Sequence, residues 1–167
     1  MKCSSSQTKA RAALAAALLL CATIPGRADD ISLSGSGTEA DPYLIKTVDD
    51  WNTFATWTGG WGPTEGTSFY YYSLETNLTV TTAVGDADHS FGGIFNGNGH
   101  TITMNITATG NSYGLFRYAG HNGSGGAQIN NLIVDGTLDG AGYRYLGGLI
   151  GQTTYAVTIN DCHVKAT

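Results

Sequence analysis

FGGIFNGNGHTITM, residues 91–104, places four glycines and two asparagines directly before an alternating apolar run. A glycine-rich loop ahead of a regular element either cradles a ligand or turns a corner. Gly97-Asn98-Gly99-His100 lacks the Lys-Ser/Thr pair of a phosphate loop, and Thr101 to Met104 alternate as a strand rather than a helix. Glycine and asparagine reach positive φ at low steric cost. The stretch therefore reads as a tight corner leading into a strand, with His100 packed or hydrogen-bonded at that corner.

Spacing downstream supports the corner. Ile102, Leu132 and Cys162 recur every 30 residues, and Met104, Val134 and Val164 repeat the interval two positions on. Thr103, Ile133 and His163 lie between them, so each copy offers two inward positions flanking an outward one, the period of a strand. A second signature, Gly93-Ile94-Phe95, Gly114-Leu115-Phe116 and Gly148-Leu149-Ile150, precedes each copy at unequal intervals. Loops of varying length on constant strands are the mark of a solenoid, whose units bury their apolar faces by stacking. Both apolar residues in each signature could face inward, so alternation leaves their orientation open. Rich in Gly, HNGSGGA (121–127) accounts for the longest gap.

Outward from the repeats, the chain divides into three. Residues 1–28 combine Lys2, Lys9 and Arg11 with an apolar run from Ala12 to Ala22, then Gly26 and Ala28 at −3 and −1 of a cleavage point. That is the pattern of a secretory signal peptide, too short in its apolar part to span a bilayer. Residues 29–68 form a leader and cap. Thr47 and Asp50 stand at capping-box positions, and Val48, Trp51, Phe54 and Ala55 follow at helical spacing until Gly59-Gly60. A short helix over 48–57 is expected, with Trp51 and Phe54 buried. Residues 69–167 carry the repeats, opening with FYYYSLETNLTVTT, in which Leu74, Leu78 and Val80 are the expected core.

Four basic residues (Lys46, Arg117, Arg144, Lys165) remain beyond the signal against 13 acids, a formal charge of −9. Such a surface repels nucleic acid and anionic lipid. Cys162 alone survives signal removal, so no intrachain disulfide is available, and it reads as a small buried hydrophobe.

The segment GGLIGQTTYAVTINDCHVKAT (147–167) resembles a copy of the GLUG motif of exported bacterial proteins, with Gly148-Leu149-Ile150-Gly151 as its core. GSGTEADPYLIKTVDDWNTFA (35–55) is similar to the leader that opens such proteins, and FGGIFNGNGHTI (91–102) to the turn that starts their solenoid. The resemblance implies an all-β, right-handed parallel β-helix with a short N-terminal helical capping segment, exported and surface-associated. It implies no chemistry, since the repeat occurs in adhesin-like proteins and beside peptidase domains. Where the motif continues with glycine, this chain stops at Thr167. A solenoid ending on an apolar strand exposes unpaired backbone, so further repeats beyond Thr167 or a partner at that edge are expected.

Catalytic and ligand motifs give little. Gly35-Ser36-Gly37-Thr38-Glu39-Ala40 matches a dinucleotide fingerprint, but Asp41-Pro42 forbids the helix it requires, so it reads as a turn and no cofactor is expected. None of His89, His100, His121 and His163 begins H-E-x-x-H. Asp86-Ala87-Asp88-His89 is an acidic loop with too few oxygen donors for more than weak calcium binding. Asp135, Asp139 and Arg144 share one Gly-rich excursion and are the candidates for a carbohydrate-active site, which needs two carboxyls about 5–5.5 or about 6.5–9.5 Å apart. Tyr70, Tyr71, Tyr72, Tyr143 and Tyr145, with Trp57 and Trp61, are candidate outward aromatics for stacking on sugars. The expected function is a non-enzymatic exported module, a stalk or adhesin-like segment presenting a face to glycans, matrix or other cells. A polysaccharide lyase or glycoside hydrolase is the alternative.

Overall fold

The computed structural model describes residues 31–57, 69–120 and 126–167. The expected signal peptide, the Gly59-Gly60 helix stop, Trp61 and most of the 121–127 loop lie outside these residues.

The chain folds as an all-β parallel β-helix of about four turns with one short helix. Its first face is a five-stranded sheet of β1 (Tyr43–Ile45), β2 (Tyr71–Leu74), β4 (Ile94–Asn96), β7 (Ala127–Asn130) and β10 (Val157–Asn160). The second face holds β3 (Leu78–Val80), β5 (Thr101–Thr107), β8 (Ile133–Asp139) and β11 (His163–Val164). The third pairs β6 (Phe116–Ala119) with β9 (Ile150–Thr153), extended towards the front by bridges from Val84 to Phe116 and Phe91 to Ala119. All pairs within these faces are parallel, and from β2 onward the chain visits the faces in the same order on each turn.

The corner at 97–100 is real and joins the first face to the second. Its two glycines serve different needs. A Cβ on Gly97 would lie 2.5 Å from the Asn131 carbonyl oxygen and 2.8 Å from Leu132 Cα, so the next turn approaches too closely for any side chain. Gly99 has open space but φ of +75°, and Asn98 before it has φ of +51°. His100 closes the turn through its backbone, its N–H donating to the Gly97 carbonyl at 2.8 Å. The equivalent corners further on are shorter: Asn131-Leu132 and Asp161-Cys162, with Asn131 and Asp161 taking the left-handed conformation that these residues tolerate best.

Register corrects the ladder. Ile102 pairs with Val134 and Met104 with Gly136, an interval of 32 residues, because the path from the end of β5 to the start of β7 (107 to 127) is two residues longer than that from β8 to β10 (139 to 157). Leu132 does not stack on Ile102. The 30-residue interval holds only from β8 to β11, where Val134 pairs with Val164, and from β7 to β10. A slip of two leaves every side chain on its original face, so Ile102, Met104, Leu132 and Val134 are all fully buried as expected. The glycine signature needs a second correction. Phe116 pairs with Ile150, aligning Gly114-Leu115-Phe116 with Gly148-Leu149-Ile150, but Gly93-Ile94-Phe95 belongs to the first face and has no place in that column. Close approach explains both glycines: a Cβ on Gly114 would lie 2.6 Å from the Gly147 carbonyl oxygen and 2.8 Å from the Gly151 nitrogen, and one on Gly148 would lie 2.4 Å from the Val164 side chain. Phe95 points inward while Ile94 is half-buried; Leu115 and Phe116 are both buried.

The helix α1 (Val48–Thr56) begins as the capping box requires. Thr47 Oγ1 accepts from the Asp50 N–H at 3.1 Å, and Asp50 Oδ2 accepts from the backbone of Thr47 and Lys46 at 3.0 Å each. Trp51, Phe54 and Ala55 are buried, whereas Val48 is left exposed at the helix start. Phe54 enters the bore and meets Trp51, Tyr72, Phe91, Phe95 and Phe116 with ring centroids 4.7 to 6.5 Å away. Trp51 Nε1 donates to the Thr82 carbonyl at 2.9 Å. The front edge is covered as well, since Leu44 N–H donates to the Ser34 carbonyl in an antiparallel bridge. The last turn has no such cover: Ile159 and Val164 are about half exposed, and Cys162 is only partly buried.

Candidate functional site

Where the first face meets the second, short polar side chains run from turn to turn. Asn160 Nδ2 donates to Asn130 Oδ1 at 2.8 Å, and Asn131 Nδ2 to Asn96 Oδ1 at 3.2 Å. Asn98 Nδ2 reaches Ser73 Oγ at 2.8 Å and the Leu74 carbonyl at 3.0 Å, while Ser73 Oγ donates to Glu75 at 2.7 Å. This ladder satisfies the polar groups that sharp corners leave over. It is a structural seam, since its groups spend their hydrogen bonds on one another.

The second-to-third corner is different. There the end of α1 (Ala55, Thr56, Trp57), residues 81–86 with His89, the end of β5 and Tyr113 with Arg117 enclose a cavity of about 360 Å³. Stacking turns produces the constellation. Arg117 N–H donates to the Val84 carbonyl at 2.8 Å, which sets β6 beside the 84–89 loop of the turn in front. The Arg117 guanidinium lies over the Tyr113 ring, 4.2 Å from its centroid, and Tyr113 is held by a 2.8 Å hydrogen bond between its hydroxyl and that of Thr109. Arg117 Nε is buried and has no hydrogen-bond partner among the described residues. No carboxylate lies within ion-pair distance of Arg117 among those residues.

Asp86 and His89 form the rim. Asp86 Oδ1 accepts from the backbone N–H groups of Asp88 and His89 at 2.9 Å each and contacts His89 Nδ1 at 3.0 Å. Partial burial alone would push the Asp86 carboxyl up, but these three hydrogen bonds and the His89 charge outweigh it, and the pKa falls below the ordinary value. Arg117 takes no part in that shift. A depressed carboxylate pKa adds stability that is present above the unfolded value and lost as pH falls through the folded one. The Asp88 and His89 amide shifts should therefore titrate together in acid, with a midpoint below about 3.9, the value of a free aspartate. A midpoint at or above that value, by NMR, would remove the inward hydrogen bonds from this account. The same bonds turn the Asp86 oxygen onto its own loop. Among the described residues no group of three His, Cys, Asp or Glu side chains is placed to hold a metal.

The structure does not assemble the carbohydrate-active candidates. Asp135 and Asp139 stand four residues apart on β8, a separation of about 13 Å along an extended strand, beyond either glycosidase spacing. Asp135 accepts from the neighbouring Gly136 N–H, and Arg144 lies in the exposed stretch after β8. Tyr72 is buried in β2 against Tyr43 and Phe54, not displayed, and burial followed by its tyrosine neighbours holds its hydroxyl neutral well above the usual range. Tyr143 and Tyr145 are exposed. Burial, then the Asp161 charge, raises the Cys162 thiol, which keeps it protonated and a weak nucleophile. Gly35 to Ala40 form a turn closed by Ser36 and Thr38 against Asp41, with no helix following. Sequence reasoning found the Asp86–His89 loop but missed Arg117, whose one visible mark is a lone cation between aromatics, Phe116-Arg117-Tyr118, in an acidic chain.

No family's sequence profile matches the chain, and no solved structure matches it. It is 32% identical over 152 residues to a protein of Evansella cellulosilytica described as a "Putative Gly-rich membrane protein". The match takes in 81% of this chain and 16% of that protein, so the chain spans about one sixth of its relative's length. Among the described residues no helix is long and apolar enough to cross a membrane. The chain is thus a glycine-rich parallel β-helix similar to a segment of a much larger protein that is described as a membrane protein.

Proposed function

We propose that this chain is a structural segment of an exported bacterial surface protein, a GLUG-type β-helix that serves as stalk or adhesin-like module. Its outward faces meet glycans, matrix or neighbouring cells. The observation that carries the reading is the stack itself: parallel turns with a covered front. Such an object works by extent and rigidity, as a spacer that displays side chains at a repeat of about 4.8 Å. Likeness to a segment of a Gly-rich membrane protein agrees with it.

Labelling of intact cells that produce the protein, with antibody raised against residues 31–167, tests the reading. Labelling without permeabilisation is the expected result. Signal that appears only after the envelope is opened would overturn it, as would polysaccharide turnover that disappears in Asp135→Asn or Asp139→Asn.

A further inference from the structure

We infer that the cavity at the second-to-third corner is a binding site for an acidic sugar, with Arg117 receiving its carboxylate. Arg117 lines the cavity, and among the described residues no carboxylate neutralises its charge and its buried Nε–H has no partner. A buried donor left unsatisfied costs free energy until a ligand meets it. Tyr113 under the guanidinium holds it flat, so its edge is offered in the plane where a carboxylate docks with two parallel hydrogen bonds. Pairing through Nε and one terminal nitrogen satisfies the orphan donor.

The rest of the lining selects what carries the carboxylate. Thr81, Thr82 and Thr107 line it beside Thr56, whose hydroxyl donates to the Asn52 carbonyl at 2.7 Å, and Trp57 and Tyr113 contribute aromatic surface. Hydroxyls around a ring face are the complement of a pyranose, whose C–H surface packs on aromatics while its hydroxyls find polar partners. About 360 Å³ is room for a single sugar unit and not for a long segment. The formal charge of −9 beyond the signal opposes a polyanion but scarcely opposes one carboxylate placed on a cation. The site therefore suits an isolated or terminal uronic-acid unit. A peptide carboxyl terminus would leave the threonine hydroxyls unused. The inference rests on the reading of this chain as a glycan-facing module and names the ligand class.

Titrating the exported chain with glucuronate, glucose, acetate, glycylglycine and sulfate, followed by NMR of the Trp57 indole and Arg117, tests it. Glucuronate should saturate with shifts at both residues, and glucose and acetate should each bind at least tenfold more weakly. Arg117→Gln should weaken glucuronate at least tenfold, with Arg117→Lys between the two. Glucuronate no better than glucose overturns the proposal, and so does tighter binding of glycylglycine or sulfate, or unchanged affinity in Arg117→Gln. Should Arg117→Gln fail to fold, the glucuronate-to-glucose ratio of the parent decides by itself. Failure here with surface labelling intact removes the sugar site and leaves the stalk standing.

Discussion

Phe54→Ala should destabilise the chain by about 3–5 kcal/mol, the range for deleting a large buried aromatic, and lower Tm by about 10 °C or more. Phe54 is the one residue of α1 whose ring contacts reach all of the early turns. It meets Tyr72 of β2, Phe91 before β4, Phe95 of β4 and Phe116 of β6, as well as Trp51 on its own helix. Its loss would leave a void walled by aromatic rings held in place by separate strands, and such walls collapse poorly. For a domain stabilised by about 5–15 kcal/mol the loss is a large share of the total. Val48→Ala on the same helix, at an exposed site, should stay within about 0.5 kcal/mol. Urea denaturation of the two variants against the parent is the measurement. A Phe54→Ala midpoint indistinguishable from that of Val48→Ala would mean that the helix does not plug the bore.

Leu132→Asp should be harsher, costing more than about 4 kcal/mol, because it adds an uncompensated charge to a lost hydrophobe. Leu132 is fully buried although it stands in a two-residue corner. Its Cα and Cβ lie 2.8 Å from where a Gly97 side chain would begin, and its carbonyl accepts from the His163 N–H at 2.9 Å. The residue is thus wedged between the turns on either side. At a fully buried position the aspartate must either unfold its surroundings or remain protonated. Ile159→Asp, half exposed on the last turn, is the control and should be tolerated. Equal stability of the two aspartate variants by circular dichroism would show that the second face is not packed as described.

Strand period, helix cap and corner residues were legible because each is a local matter. Thr47 and Asp50 announce the helix through their own hydrogen bonds, and glycine with asparagine announces a corner through φ. Register was legible only in part. The 30-residue interval is correct from β8 to β11 and fails from β5 to β8, where two extra residues on the way from β5 to β7 shift the partner of Ile102 from Leu132 to Val134. A two-residue slip preserves every inward and outward assignment, so hydrophobic pattern alone cannot detect it. The cavity was the least legible part. Asp86 and Arg117 are 31 positions apart and line one cavity only because successive turns stack, a relation that depends on the very loop lengths that vary.

The covered front of the stack has a consequence for the order in which the coils form. Ser34 occupies the free edge of β1 and α1 stops the bore, so strands add in one direction only, from β2 towards β11. Synthesis releases the amino end of a chain first. The sealed end is then the first to emerge and can settle before the remainder appears, offering each arriving coil a finished edge on which to lie. Such a chain winds itself up as it is made, and synthesis and winding proceed in the same direction.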